Sequence, residues 1–179
     1  METLNLRSGR QVVIRQITPD DGPRLKLGYR ALSPESQYRR FLGSKPRLTN
    51  ADVRYLTDVN GQDHFALVAS TATAPDWLIA VARFVRLAED PQAAEFAIVV
   101  GDPYQGEGLG TEMLERLARA AAARGIRRFR ATVLAENTAV HKLMRRLAGR
   151  LSPTAAPALV ASRERHLGTV DEVEVELAA

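Results

Sequence analysis

The sequence predicts a mixed α/β domain in which strands and helices surround one core. Three observations carry that expectation. Short runs rich in β-branched and aromatic residues alternate with stretches whose apolar residues repeat at helical spacing. A glycine-rich hexapeptide, Gln105–Gly110, stands where one such run gives way to an amphipathic stretch. Finally, no internal repeat or long linker divides the 179 residues, a length that suits a single domain.

Gln11–Ile17 (QVVIRQI), bounded by Gly9 and Pro19, reads as a first strand. Pro-Asp-Asp-Gly-Pro then turns into a helix over Pro23–Ala31. Ser33-Pro34-Glu35 starts a second helix, with Ser33 as N-cap, Pro34 at the first helical position and Gly43 as its stop. Tyr38, Phe41 and Leu42 share one face of it. Thr49-Asn50-Ala51-Asp52 caps a third helix carrying Val53, Leu56 and Val59. Phe65–Ala69 and Trp77–Val85 read as two strands of a hairpin.

The second half continues the alternation. Ala94–Val100 is a strand by residue type, closed by Gly101-Asp102-Pro103. A helix follows over Thr111–Arg124, with Met113, Leu114, Leu117, Ala118 and Ala121 in one stripe and Gly125 as its stop. Arg128–Leu134 alternates as a strand. Asn137 caps a helix bearing Val140, Leu143, Met144, Leu147 and Ala148. Leu151–Thr169 reads as a long, proline-punctuated loop or flap, and Glu172–Leu177 (EVEVEL) as a half-exposed final strand.

Composition removes several classes of function. Without cysteine there is no disulfide framework, thiolate metal site or cysteine nucleophile. No run approaches ~20 apolar residues, so no transmembrane helix is expected. The N-terminus lacks the basic-then-apolar pattern of a secretory signal, and a cytoplasmic location is expected. Lys and Arg number 25 against 21 Asp and Glu, a net charge of +4. Four of those acids, Asp171, Glu172, Glu174 and Glu176, crowd the C-terminal end, which leaves the rest of the chain more positive. Such a field favours an anionic partner. Nucleic acid is not favoured, because the bases are scattered and no aromatic-basic recognition motif occurs.

The chemistry concentrates in Gln105-Gly106-Glu107-Gly108-Leu109-Gly110. Three glycines let main-chain N–H groups approach a ligand, and the helix that starts there adds free donors and the positive end of its dipole. A P-loop would need Lys before the final Ser/Thr, and Gly110-Thr111-Glu112 has none. A dinucleotide fingerprint needs another glycine spacing and an acid about twenty residues on, and residues 127–134 hold no acid.

Gln-x-x-Gly-x-Gly at a strand-to-helix turn instead resembles the pyrophosphate loop of the GNAT (Gcn5-related) N-acetyltransferases. The likeness extends over Ala94–Gly149, from Ile98-Val99-Val100 to the Asn137 helix. Ser33–Leu42 (SPESQYRRFL) also resembles the second helix of bacterial Pat-type protein acetyltransferases. The resemblance implies a central, twisted, mostly antiparallel sheet, splayed at a cofactor cleft and flanked by helices. Residues 1–179 would form one N-acetyltransferase domain, with 11–93 on the acceptor side, 94–149 as the acetyl-CoA-binding core and 150–179 as loop and last strand.

The resemblance also implies the site. Main-chain groups of Ile98, Val99 and Val100 would pair with the pantetheine arm of acetyl-CoA, as an added strand would. N–H groups of Gln105, Gly106, Glu107, Gly108, Leu109 and Gly110 would hold the pyrophosphate. Asn137 would face the arm as well as cap its helix. The acceptor amine, on a protein lysine or a small molecule, would attack the thioester directly in a ternary complex. Glu95, an acid in the apolar strand AAEFAIVV, is the candidate general base; its other reading is an outward side chain opposite Phe96. The tyrosine that serves many members as thiolate acid is replaced by Met144, leaving the general acid unassigned. Water or a tyrosine from elsewhere would substitute, Tyr104 beside the loop or Tyr29 and Tyr38 on the early helices, the last two read mainly as packing. The family's Gly-Phe after the last helix reads Gly149-Arg150. His141 is read as meeting solvent or the cofactor arm, solvent being the favoured reading. His64 and His166 lack partners at metal-ligand spacing, so no metal is expected. A competing reading is a CoA-binding sensor without turnover.

Overall fold

The computed structural model describes residues 2–150 and 163–177. Its strands are β1 (Glu2–Asn5), β2 (Gln11–Gln16), β3 (His64–Thr71), β4 (Ala74–Arg86), β5 (Ala93–Val100), β6 (Arg128–Leu134), β7 (Arg163–Leu167) and β8 (Val170–Glu176). They form one sheet in the order β1-β2-β3-β4-β5-β6-β8-β7. Neighbours run antiparallel except β5 and β6, which are parallel. The helices are α1 (Gly22–Arg30), α2 (Pro34–Phe41), α3 (Asn50–Thr57), α4 (Leu109–Ala122) and α5 (Thr138–Arg150). Among the described residues no helix is long and apolar enough to cross a membrane.

Two cores follow from the strand alternation. On one face Ala94, Phe96, Phe129 and Ala131 meet Met113, Leu114 and Leu117 of α4, with Met144 of α5. On the other, Ala66, Val68 and Leu78 meet Leu25 and Tyr29 of α1 and Leu56 of α3. The helix starts behave as their caps predict. Ser33 Oγ accepts from Ser36 N–H at 3.2 Å, and Thr49 exchanges the reciprocal bonds of a capping box with Asp52.

Several boundaries differ from the sequence reading. β1 was not foreseen; it is a short, exposed edge strand whose pattern is too polar to announce itself. Leu42, not Gly43, takes the left-handed turn that ends α2, with φ of 52°. α4 starts at Leu109, two residues earlier than expected and inside the glycine segment, because Gly108 serves as its left-handed N-cap. The predicted 151–169 loop contains β7 at its end, paired with β8. The remainder of that expected flap, 151–162, lies outside the described residues.

One buried carboxylate stabilises the entry to the helical layer. Asp21 is fully buried and accepts both Arg15 Nη groups at 2.6 Å, Thr18 N–H at 2.9 Å and Arg24 Nη1 at 3.3 Å. Burial alone would raise its pKa, but the Arg15, Thr18 and Arg24 hydrogen bonds outweigh it and hold the carboxyl at about 2, against an ordinary 3.8. The stability this supplies is complete above the unfolded value and disappears as pH falls toward 2. Asp21→Asn is therefore expected to cost about 2 kcal/mol at pH 7 in urea unfolding, with the gap to wild type narrowing below pH 4. An undiminished gap at pH 2 would show that shape, not charge, makes the contribution.

Candidate functional site

The cleft arises because β5 and β6 part company. They pair only where Ala93–Glu95 meet Arg128–Arg130. Beyond that point β5 stays with β4 as far as Ala80–Val100, while β6 stays with β8 as far as Leu134–Val170. Residues 96–100 thus keep one main-chain edge without a strand partner. The gap opens into a cleft of about 660 Å³, with Ile98, Val99 and Val100 on one wall and Ala131, Thr132 and Val133 on the other. Asn137, Val140 and Leu143 of α5 close one side, and Gln105, Gly106, Gly108 and Gly110 close the far end.

At that far end, Gly106 and Gly108 have φ of 76° and 96°, a conformation costly for other residues. The first helical bond of α4 runs from Glu112 N–H to Gly108 O at 3.1 Å, so the N–H groups of residues 108–111 have no acceptor within the helix. Leu109 is buried in the core and fixes the direction of the helix start. The Glu107 side chain turns away, to Ser8 and Arg10. That pairing draws its carboxyl below the ordinary range.

Two braces hold this loop, and the sequence reading missed both. The Asp102 carboxylate accepts from Ser33 N–H at 2.9 Å and from the Ser33 and Ser36 hydroxyls at 2.8 Å, tying α2 to the loop. Gln105 Nε2 donates to Val100 O at 3.0 Å, locking the end of β5. From the other side, the β1–β2 turn brings Arg10 to Pro103 O at 3.1 Å and over the Tyr104 ring at 4.7 Å. It also brings Arg7 Nη1 to Gly106 O at 3.4 Å, within the cleft lining. The clustered Arg7-Ser8-Gly9-Arg10 before β2 was the available signal, had it been read as a hairpin turn.

The cleft is cationic. Arg7, Arg39, Arg40, Lys142 and Arg146 line it, against Glu95 as its acid. Glu95 is exposed on the face opposite Ala94 and Phe96, as the outward reading expected, but outward here is the cleft wall beside α2. Burial pushes the Arg40 guanidinium down from its ordinary value, and the nearby Glu95 charge opposes that. Asn137 fills both expected places: its Oδ1 accepts from Val140 N–H at 3.3 Å, and its buried side chain lines the cleft.

Met144 is buried in the core, while Val140 and Leu143 face the cleft. Tyr104 lines the cleft, Tyr29 is buried with its hydroxyl donating to Lys45 O at 2.5 Å, and Tyr38 is exposed away from it. His141 corrects the sequence reading. It is buried, with Nδ1 3.3 Å from Glu164 and Nε2 3.3 Å from Asp171, so it pins α5 to β7 and β8. His166 meets Asp171 at 2.7 Å, and His64 stands 3.1 Å from Arg83. Among the described residues no three His, Asp or Glu side chains are gathered as metal ligands would be.

Comparison with known proteins agrees with this geometry. Residues 11–150 match the model of the acetyltransferase (GNAT) domain. Acetyltransferase Pat of Mycolicibacterium smegmatis is 39% identical over 144 residues, 80% of this chain and 43% of that protein. The chain thus spans less than half the length of that relative. Acetyltransferase PA5475 of Pseudomonas aeruginosa is 29% identical over 140 residues, 78% of this chain and 75% of that one. The crystal structure of the GNAT domain of S. lividans PAT superposes with a TM-score of 0.84 at 31% identity, covering 98% of this chain and 96% of that domain.

Proposed function

We propose that this chain, which belongs to the GNAT family, is an acetyl-CoA-dependent acetyltransferase that moves the acetyl group directly to an amine, within a ternary complex at the β5–β6 cleft. The observation that carries this reading is the parting of the two strands. It leaves an unpaired β5 edge between Glu95 at one end and unbonded helix N–H groups at the other.

The residues present fit the cofactor. The open edge at Ile98, Val99 and Val100 offers main-chain donors and acceptors of the kind an extended amide arm needs. The residue 105–110 loop, with the start of α4, offers N–H groups and a positive dipole to a pyrophosphate. The cationic lining suits its several phosphate charges. When bound, acetyl-CoA supplies the thioester electrophile. Glu95 takes the proton from the acceptor's ammonium, whose pKa near 10 otherwise keeps it unreactive at neutral pH. Asn137, fixed by its cap bond, orients the arm. A thiol pKa of about 8.5 lets the departing sulfur take its proton from water, with Tyr104 a phenolic hydroxyl on the cleft wall. Residues 1–179 act as one N-acetyltransferase domain in the cytoplasm.

One observation favours a second reading, a CoA-binding sensor: the position where the family's acid is expected is a buried methionine. Calorimetric titration with acetyl-CoA, followed by CoA release with a panel of amines and lysine peptides, decides between them. The enzyme binds and turns over; the sensor binds and does not. No binding overturns both.

A further inference from the structure

We propose that a second groove, on the sheet face opposite α4, is the acceptor site, and that it takes a lysine flanked by further basic residues in an extended peptide. This rests on the acetyltransferase reading of the first cleft. In β6, Phe129, Ala131 and Val133 are buried toward α4, while Arg128, Arg130 and Thr132 alternate to the other face. In β8, Val173 and Val175 are buried and Glu172, Glu174 and Glu176 alternate with them. The register sets Thr132 opposite Glu172 and Arg130 opposite Glu174. A groove of about 480 Å³ runs over these residues, bordered by Glu89, Arg130, Arg165 and Glu172. It shares Glu95, Ala131 and Thr132 with the first cleft, so the two meet at Glu95.

The two sides are sorted by charge. The first cleft sets five bases against Glu95. The second is bordered by Glu89, Glu95, Glu172 and Glu174 against Arg130 and Arg165. Arg130 is already neutralised, 2.6 Å from Glu174 and 3.4 Å from Asp90. Glu89, Glu95 and Glu172 make no ion pair within 4 Å among the described residues, although the β7–β8 register sets Arg165 across from Glu172 and Arg40 lies beside Glu95, so carboxylates still outnumber guanidinium groups along the groove. Phosphates are drawn to one side and cations to the other, and the candidate base stands where they meet. Glu172 lies two strands from Glu95 in the sheet order, which at about 4.8 Å per strand is on the order of 10 Å. An extended peptide covers that in about three residues, so a basic residue two or three positions from the lysine reaches Glu172. Arg165 and the paired Arg130 disfavour an unbroken run of positive charge and leave room for neutral residues between.

The test uses a blocked Arg-Gly-Lys-Gly-Arg peptide, its Glu-Gly-Lys-Gly-Glu counterpart and spermine, with wild type, Glu172→Lys and Glu89→Lys. Wild type is expected to acetylate the basic peptide with kcat/KM at least ~10-fold above the acidic one. Each charge reversal lowers that value about 5-fold, raises the value for the acidic peptide, and leaves KM for acetyl-CoA unchanged. Calorimetry of the basic peptide against CoA-loaded protein gives a second readout, with affinity falling in both variants. An unchanged peptide preference and unchanged peptide affinity overturn the groove and leave the acetyltransferase reading intact. Preference for spermine over both peptides overturns the peptide as occupant. Loss of acetyl-CoA binding in wild type overturns the acetyltransferase reading itself, and the same peptide calorimetry on the unloaded protein then reports on the groove.

Discussion

Glu95→Gln is expected to lower kcat by about 10²–10³-fold while leaving the affinity for acetyl-CoA within about twofold of wild type. The substitution keeps the shape of the side chain and removes only its ability to hold a proton. A lysine-type ammonium with pKa near 10.4 is neutral in roughly one molecule in a thousand at pH 7.4, so a base at the attacking nitrogen contributes most under those conditions. Glu95 stands where the cleft and the acidic groove meet, beside Arg40 and at the last residue before β5 and β6 separate. In the Glu95→Gln variant the rate should climb steadily with pH toward 10, as free amine becomes abundant, and approach wild type there. Rate against pH for both proteins checks this. A variant with the wild-type rate at pH 7 would mean that Glu95 only borders the groove, and that water carries the proton.

The local parts of this site were readable from the residues because they answer local demands. Gly106 and Gly108 adopt positive φ, which glycine takes without the steric cost of a side chain. Ser33 and Asn137 cap the helices that follow them, as their residue types require. What the sequence left open depends on which distant segments come together. Strand alternation placed Glu95 and Phe96 on opposite faces, but only the pairing of β5 with both β4 and β6 shows that the Glu95 face borders two clefts. Asp102 braces α2 across 66 and 69 residues, and Glu107 meets Arg10 across 97, separations that no periodicity reports. His141 was misread for the same reason. Its position at the margin of an apolar stripe suggested solvent, whereas Glu164 and Asp171 arrive from β7 and β8 to enclose it. The acidic groove, likewise, exists only once β8 is inserted between β6 and β7.

Gly108→Trp should reduce acetyl-CoA affinity at least ~100-fold. Gly108 lines the cleft and is the N-cap of α4, so its own backbone and the N–H groups just after it form the anion site. A Cβ built there has Arg7 Nε 4.0 Å away and nothing nearer, so the added ring has room to extend, and that room is the cleft. The φ of 96° also makes any side chain costly, by about 1–2 kcal/mol. Two controls separate that strain from blockage. Gly108→Ala carries the same backbone cost with little bulk, and should weaken binding only about 3- to 10-fold. Gly125→Ala, at φ of 79° past the end of α4, carries a similar cost outside the cleft lining and should bind acetyl-CoA as wild type does. Calorimetric titration of the three variants, with thermal unfolding run alongside, reads both quantities. If Gly108→Trp retains wild-type affinity while folded, the pyrophosphate is held elsewhere, and the cationic wall of Arg7, Lys142 and Arg146 becomes the place to look.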